Sequence, residues 1–169
     1  MPERNIVLVG FMGSGKSKTA NKLAGILKRG VVSTDAIIEQ KEGRAITDIF
    51  RESGEAYFRK VEKEVVKEVS EQRGMILDCG GGVVLDPDNM TNLRKNGLVI
   101  YLAASPEYIY KNIKNRKNRP LLNVEDRQSK ITELLKARKP YYEKADVIIA
   151  ADKDIDQIVE DILKVFENE

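Results

Sequence analysis

The chain has 169 residues, 41% hydrophobic and 33% charged, and its 29 Lys+Arg against 27 Asp+Glu leave a net charge of +2. That is the size and mix of one domain, able to bury about 70% of its unfolded surface without a disulfide or metal staple. Near balance of charge argues against a nucleic-acid or membrane-surface partner. Histidine is absent and Cys79 is the single cysteine, which excludes Ser-His-Asp and Cys-His catalysis, His-ligated zinc and thiolate cages.

In chain order, an apolar run at 6–9 reads as a strand and 18–28 as a helical segment. A second strand at 31–33 leads into a helix-like run at 36–40. Phe58, Val61, Val65 and Val69 then form one stripe at helical spacing, a helix of roughly four turns. Further strands are expected at 75–78, 98–102 and 147–150. Asp86-Pro87 and Ser105-Pro106 each put a capping residue before a proline at the first helical position. Ile155, Ile158, Ile162 and Val165 mark a last amphipathic helix. Runs apolar throughout, alternating with helices, belong to parallel strands buried on both faces. No repeat or linker divides the chain, so residues 1–169 are read as a single α/β domain with a mostly parallel sheet of about five strands.

No apolar run approaches the ~20 residues of a membrane span. The first residues lack the layout of a secretory leader, and the expected location is cytoplasmic. The basic run Lys111, Lys114, Arg116, Lys117 and Arg119 has no interleaved aromatics for base stacking, so it reads as a solvated helix end.

Gly10-Phe11-Met12-Gly13-Ser14-Gly15-Lys16-Ser17 matches G-x-x-x-x-G-K-[ST] at every fixed position, between a strand and a helix. Glycines let successive N–H groups turn towards phosphate oxygens at a helix N-terminus. Lys16 is expected to reach the β- and γ-phosphates and the Ser17 hydroxyl to ligate Mg²⁺. This P-loop implies a nucleoside triphosphate, held by Gly13, Ser14, Gly15, Lys16 and Ser17. Asp78, closing the 75–78 strand, is the candidate second metal group; the alternative is a solvated strand-end carboxylate. Asp78-Cys79-Gly80-Gly81 also fits the D-x-x-G of GTPases, but no N-K-x-D segment is present.

Gly10–Ser17, Thr34-Asp35, Phe58-Arg59, Gly80-Gly81-Gly82, Arg119-Pro120-Leu121-Leu122 and Arg138 before Pro140-Tyr141 occur in one order. In that order and over nearly the full length, the chain resembles shikimate kinases, P-loop enzymes of the nucleoside-monophosphate-kinase-like group. The resemblance implies a three-layer P-loop fold with a short lid at 116–124. It also implies transfer of the γ-phosphoryl of MgATP to the 3-hydroxyl of shikimate, towards chorismate and the aromatic amino acids. ATP and shikimate are then the partners of a monomer.

On that resemblance, Arg59 and Arg138 clamp the acceptor carboxylate, as guanidiniums do. Gly81 and Gly82 bring backbone close to the acceptor ring. Asp35 orients the reacting hydroxyl, and Arg119 in the lid closes over the ATP phosphates. Each has a plainer reading: a solvated Arg59, an Arg138 serving a helix C-terminus, an Asp35 that only caps a helix. Cys79 is expected to be buried, and Tyr57, Phe58 and Phe50 to pack or line the acceptor pocket. Related acceptors (gluconate, aminoshikimate, a nucleotide) and a nucleotide-binding module without turnover are the alternatives.

Three positions depart from the family pattern. Ser33 stands where the family's first Asp of Asp-x-Asp approaches Mg²⁺ through water, which suggests that Asp78 has taken over that charge. Lys18 replaces a usual Thr, either as an added charge for the phosphates or as a solvated residue. The basic residue expected to stack on adenine falls near Asn112, with Lys111 or Arg116 as substitutes.

Overall fold

Five successive buried residues, Asn5–Val9, form β1 at the centre of the sheet. The computed structural model describes residues 3–114 and 126–168, so the lid expected at 116–124, with Arg116 and Arg119, lies outside them. β3 (Ile76–Asp78) and β4 (Gly97–Ala103) flank β1, while β2 (Val31–Ser33) and β5 (Val147–Ala150) form the edges. The order β2-β3-β1-β4-β5 has every pairing parallel, as the apolar runs indicated.

Val7 and Val9 of β1 enter one core, Ile6 and Leu8 the other, because successive side chains leave a strand on opposite faces. The second core is covered by α1 (Lys16–Leu27) and α7 (Ile155–Glu167). The first is covered by α2 (Thr34–Glu42), α3 (Ile46–Ser70), α4 (Pro87–Asn96), α5 (Pro106–Ile113) and α6 (Arg127–Tyr142). β1 hands the chain to α1 on one face and β3 hands it to α4 on the other. A crevice therefore opens between the carboxyl ends of these neighbouring strands, the usual ligand position in open α/β sheets.

Asp86 and Ser105 cap α4 and α5, accepting from the N–H groups of Asp88 and Tyr108. The Phe58–Val69 stripe is buried as expected, yet its helix starts far earlier, at Ile46, and bends at Gly54 (φ 86, ψ 168). In α7 the stripe is rotated: Ile158, Val159, Ile162 and Phe166 are buried, and Ile155 and Val165 sit at its margins. A 3.6-residue period carries the contact line from 158 through 162 to 166 rather than to 165. Among the described residues, no helix is long and apolar enough to cross a membrane.

Candidate active site

The loop from Gly10 to Ser17 joins β1 to α1 at the crevice. Gly15 caps α1 in the left-handed region (φ 92, ψ 17), which glycine enters without a Cβ penalty. α5 lies against the loop: a Cβ on Gly13 would meet Ile113 Cγ2 at 2.7 Å. Asn112 Nδ2 donates to the Gly13 carbonyl at 2.7 Å, so the side chain standing where a base-stacking group was sought is bonded to the loop instead. The buried Lys16 ammonium donates to the carbonyls of Gly10 (2.7 Å) and Phe11 (3.0 Å).

Ser17 Oγ donates to Asp78 Oδ2 at 2.6 Å. Asp78 is the register partner of Leu8 on β1 and of Ser33 on β2. The Ser33 hydroxyl accepts from Ala36 N–H at 3.2 Å and caps α2. The capping alternative for Asp35 is thus overturned, since Asp35 sits inside the first turn and lines the cavity. A hydroxyl and a carboxylate side by side beyond the phosphate loop are oxygen donors suited to a hard cation such as Mg²⁺.

Arg138 projects from α6 into the same crevice. It is only 3% exposed and lines the cavity. Its guanidinium lies over the Phe11 ring, 5.5 Å from the centroid. Behind it, Tyr142 donates to the Gly81 carbonyl at 2.6 Å. Arg59 reaches over from α3, donating to Glu62 Oε1 (3.0 Å) through Nη1 and to Glu55 Oε2 (3.3 Å) through Nη2.

None of Gly80, Gly81 and Gly82 has a positive φ; they are glycines for room. A Cβ on Gly80 would stand 2.6 Å from Asp35 Oδ1, and one on Gly81 3.4 Å from Arg138 Nη1. On Gly82 it would run into the Arg59 guanidinium. The triplet therefore makes space for this chain's own charged groups, and Gly80, which the sequence reading gave no role of its own, is tight against Asp35.

One cavity of about 390 Å³ joins both ends, with Lys16, Ser17, Lys18 and Asp78 on one side and Asp35, Arg59, Glu62 and Arg138 on the other. Phe50 and Phe58, ring centroids 4.8 Å apart, form part of its wall. Tyr57 does not pack with them: it is exposed, its hydroxyl donating to Glu42 with the Arg44 guanidinium beside its ring. Cys79 is buried, and burial pushes its thiol far above the usual range. An inert thiol results.

Glu62 escaped the sequence reading. It is 1% exposed, and burial, against the opposing pull of Arg59, pushes its carboxyl up to about 7. Among the described residues, its Oε2 and Arg138 Nη1 are buried atoms without a hydrogen-bond partner. The one signal in the sequence is its position three residues after Arg59, a helical ion-pair spacing.

The family model for shikimate kinase matches residues 12–167. The shikimate kinase of Caldanaerobacter subterraneus subsp. tengcongensis is 44% identical over 164 residues, 96% of each chain. That of Dehalococcoides mccartyi (strain BAV1) is 42% identical over 171 residues, covering 98% of this chain and 97% of its own. Among solved structures, the shikimate kinase of Acinetobacter baumannii in complex with shikimate superposes with a TM-score of 0.94. It is 35% identical, over 98% of this chain and 93% of that one. Matches of this extent, together with the phosphate loop and the paired guanidiniums, decide the matter: this chain belongs to the shikimate kinase family and is an ATP-dependent kinase.

Proposed function

We propose that the chain carries out its family's reaction by transferring the γ-phosphoryl of MgATP to the 3-hydroxyl of shikimate, within the route to chorismate and the aromatic amino acids. The observation that carries this reading is the convergence of Arg59, Arg138 and Asp35 on one cavity beside the phosphate loop. Two guanidiniums match a small carboxylate, and a nucleotide acceptor would instead need a site for a base. Asp35 accepts a hydrogen bond from the reacting hydroxyl and holds it in line. Phosphoryl transfer asks chiefly for positioning and charge stabilisation, so a strong base is unnecessary.

At the other end, backbone N–H groups from Gly13 to Ser17 hold the phosphates. Lys16 exchanges its carbonyl partners for phosphate oxygens, and Lys18 adds positive charge at the same mouth. Ser17 and Asp78 would hold Mg²⁺, which when bound offsets negative charge on the β- and γ-phosphates. Arg119 is assigned to the phosphates on resemblance alone. A cytoplasmic monomer is the accompanying reading.

The test is ADP release with MgATP and shikimate, measured for the wild type and for Arg59→Ala. Shikimate-dependent turnover should fall by tens- to thousands-fold in kcat/KM in the variant, as expected for about 2–5 kcal/mol of charged contact. ATP binding without shikimate turnover in the wild type would refute the acceptor assignment and leave the phosphate loop standing.

A further inference from the structure

Six tyrosines occur in the chain, and five of them pack or bond within it. Tyr101 and Tyr142 stack with ring centroids 4.8 Å apart, and Tyr110 packs on the first core. Tyr57 is bonded to Glu42, and the Lys144 ammonium lies over the Tyr141 ring. Tyr108 is the exception. It belongs to neither core, and its side chain makes no hydrogen bond or ring contact among the described residues. It is also the one tyrosine that lines the cavity, half-buried at the phosphate-loop end.

The backbone beneath this unused ring is held firmly. Pro106 opens α5, the Ser105 hydroxyl accepts from Tyr108 N–H at 3.2 Å, and the Asp152 carboxylate accepts from Ser105 N–H at 3.0 Å. One turn further on, Asn112 Nδ2 is bonded to the Gly13 carbonyl at 2.7 Å. Tyr108 and Asn112 stand four residues apart and so share one flank of α5. In-line transfer puts the acceptor and the departing diphosphate on opposite sides of the γ-phosphorus. Arg138 enters the acceptor side from α6, and Tyr110 faces the core that α6 also covers. Tyr108, two residues earlier, points about 200° round the helix from Tyr110. The connection from β5 to α7, with Asp152, borders that end of α5.

We propose that Tyr108 is the platform on which the base of the bound nucleotide stacks. An aromatic face suits a base without a matched hydrogen-bonding edge, and a tyrosine ring loses little freedom when it is covered. Asn112, tied to the loop, fixes the distance between this flank and the phosphates. The inference rests on the reading that residues 13–17 hold those phosphates. Its consequence is selective: Tyr108 serves the half of the nucleotide that carries no phosphate.

Isothermal titration of the full chain with ADP and with inorganic tripolyphosphate, which has phosphates and no base, separates the two halves. Tyr108→Leu, which keeps an apolar side chain but has no ring, should weaken ADP binding about 10-fold or more. Tyr108→Phe should stay within about twofold of the wild type, and tripolyphosphate should bind all three proteins alike. In the wild-type complex with ADP, nuclear Overhauser contacts should join tyrosine ring protons to adenine H2 or H8. Unchanged ADP affinity in Tyr108→Leu overturns the proposal. An equal loss of tripolyphosphate also overturns it, since the ring would then merely support the loop. A loss as large in Tyr108→Phe gives the contact to the hydroxyl and overturns stacking. A folded wild type that binds neither probe overturns the phosphate-loop reading and this inference with it. Should Tyr108→Leu not fold, the Overhauser contacts decide, and their absence overturns the proposal.

Discussion

Ser33 and Asp78 sit side by side on β2 and β3 as register partners, so a carboxylate at either position reaches the same side of the phosphate loop. The family pattern puts it on β2; here the serine caps α2 and the acid stands one strand across, bonded to Ser17 at 2.6 Å. Asp78→Asn should weaken divalent-cation binding to the nucleotide-loaded protein roughly 10-fold, the scale of losing a charged hydrogen-bonding partner. Mn²⁺ titration followed by electron paramagnetic resonance measures this without relying on turnover. Adding Ser33→Asp to that variant should restore most of the loss, because aspartate is as good a helix cap as serine. Unchanged Mn²⁺ affinity in Asp78→Asn would end the idea of a displaced carboxylate. At this scale Gly82 also has a defined task. Gly82→Ala should raise KM for shikimate by displacing Arg59 while leaving KM for ATP near its wild-type value; equal rises in both would show that the glycine merely supports the fold.

α3 joins the two walls of the acceptor site through one bend. Gly54 holds φ 86 and ψ 168, a region open essentially to glycine alone. Nothing lies within 4 Å of a Cβ built there, so the cost of Gly54→Ala is torsional, about 1–3 kcal/mol. Thermal unfolding should shift down by several degrees for a chain of this size. Because Ile46 and Phe50 precede the bend and Phe58, Arg59 and Glu62 follow it, KM for shikimate should rise more than KM for ATP. The same helix shows what sequence can and cannot convey. Its second half was legible from Phe58, Val61, Val65 and Val69, whereas the charged stretch Arg51–Gly54 interrupts the apolar period and hid the first half. The strands were legible because their runs are mostly apolar, with polar residues confined to strand ends such as Asn5, Ser33 and Asp78, and the proline-marked caps of α4 and α5 because proline tolerates few other positions. Lys16, Asp35, Arg59, Asp78 and Arg138 could be gathered from motifs alone. Glu62 could not: among Lys60, Lys63 and Glu64 it reads as one more surface charge, and only the packing of α2, α6 and the glycine triplet around it reveals otherwise.

For the molecule as a whole, the buried carboxyl of Glu62 carries a stability cost with a definite sign. Glu62 titrates near 7 in the folded chain, above the ~4.3 of an exposed glutamate. Between these values the folded state holds more protons than the unfolded state, so stability falls as pH rises through this window. Below the lower value both states are protonated and the effect is absent; above about pH 7 it is complete. The raised carboxyl corresponds to an order of about 3 kcal/mol. Glu62→Gln removes the titration, so its stability relative to the wild type should improve by about that amount between pH 4 and pH 8. For a chain of this size that is roughly 6–12 °C in the difference of midpoints. Paired thermal melts of the two proteins across that range measure it directly, and a difference that stays flat with pH would mean that Glu62 is no more costly to ionise in the folded chain than in the unfolded one. A positive result would locate this pH-dependent part of the stability at the Glu62 carboxyl paired with Arg59. The cavity wall would then be a place where this fold accepts a lower stability to hold a buried acid against a guanidinium.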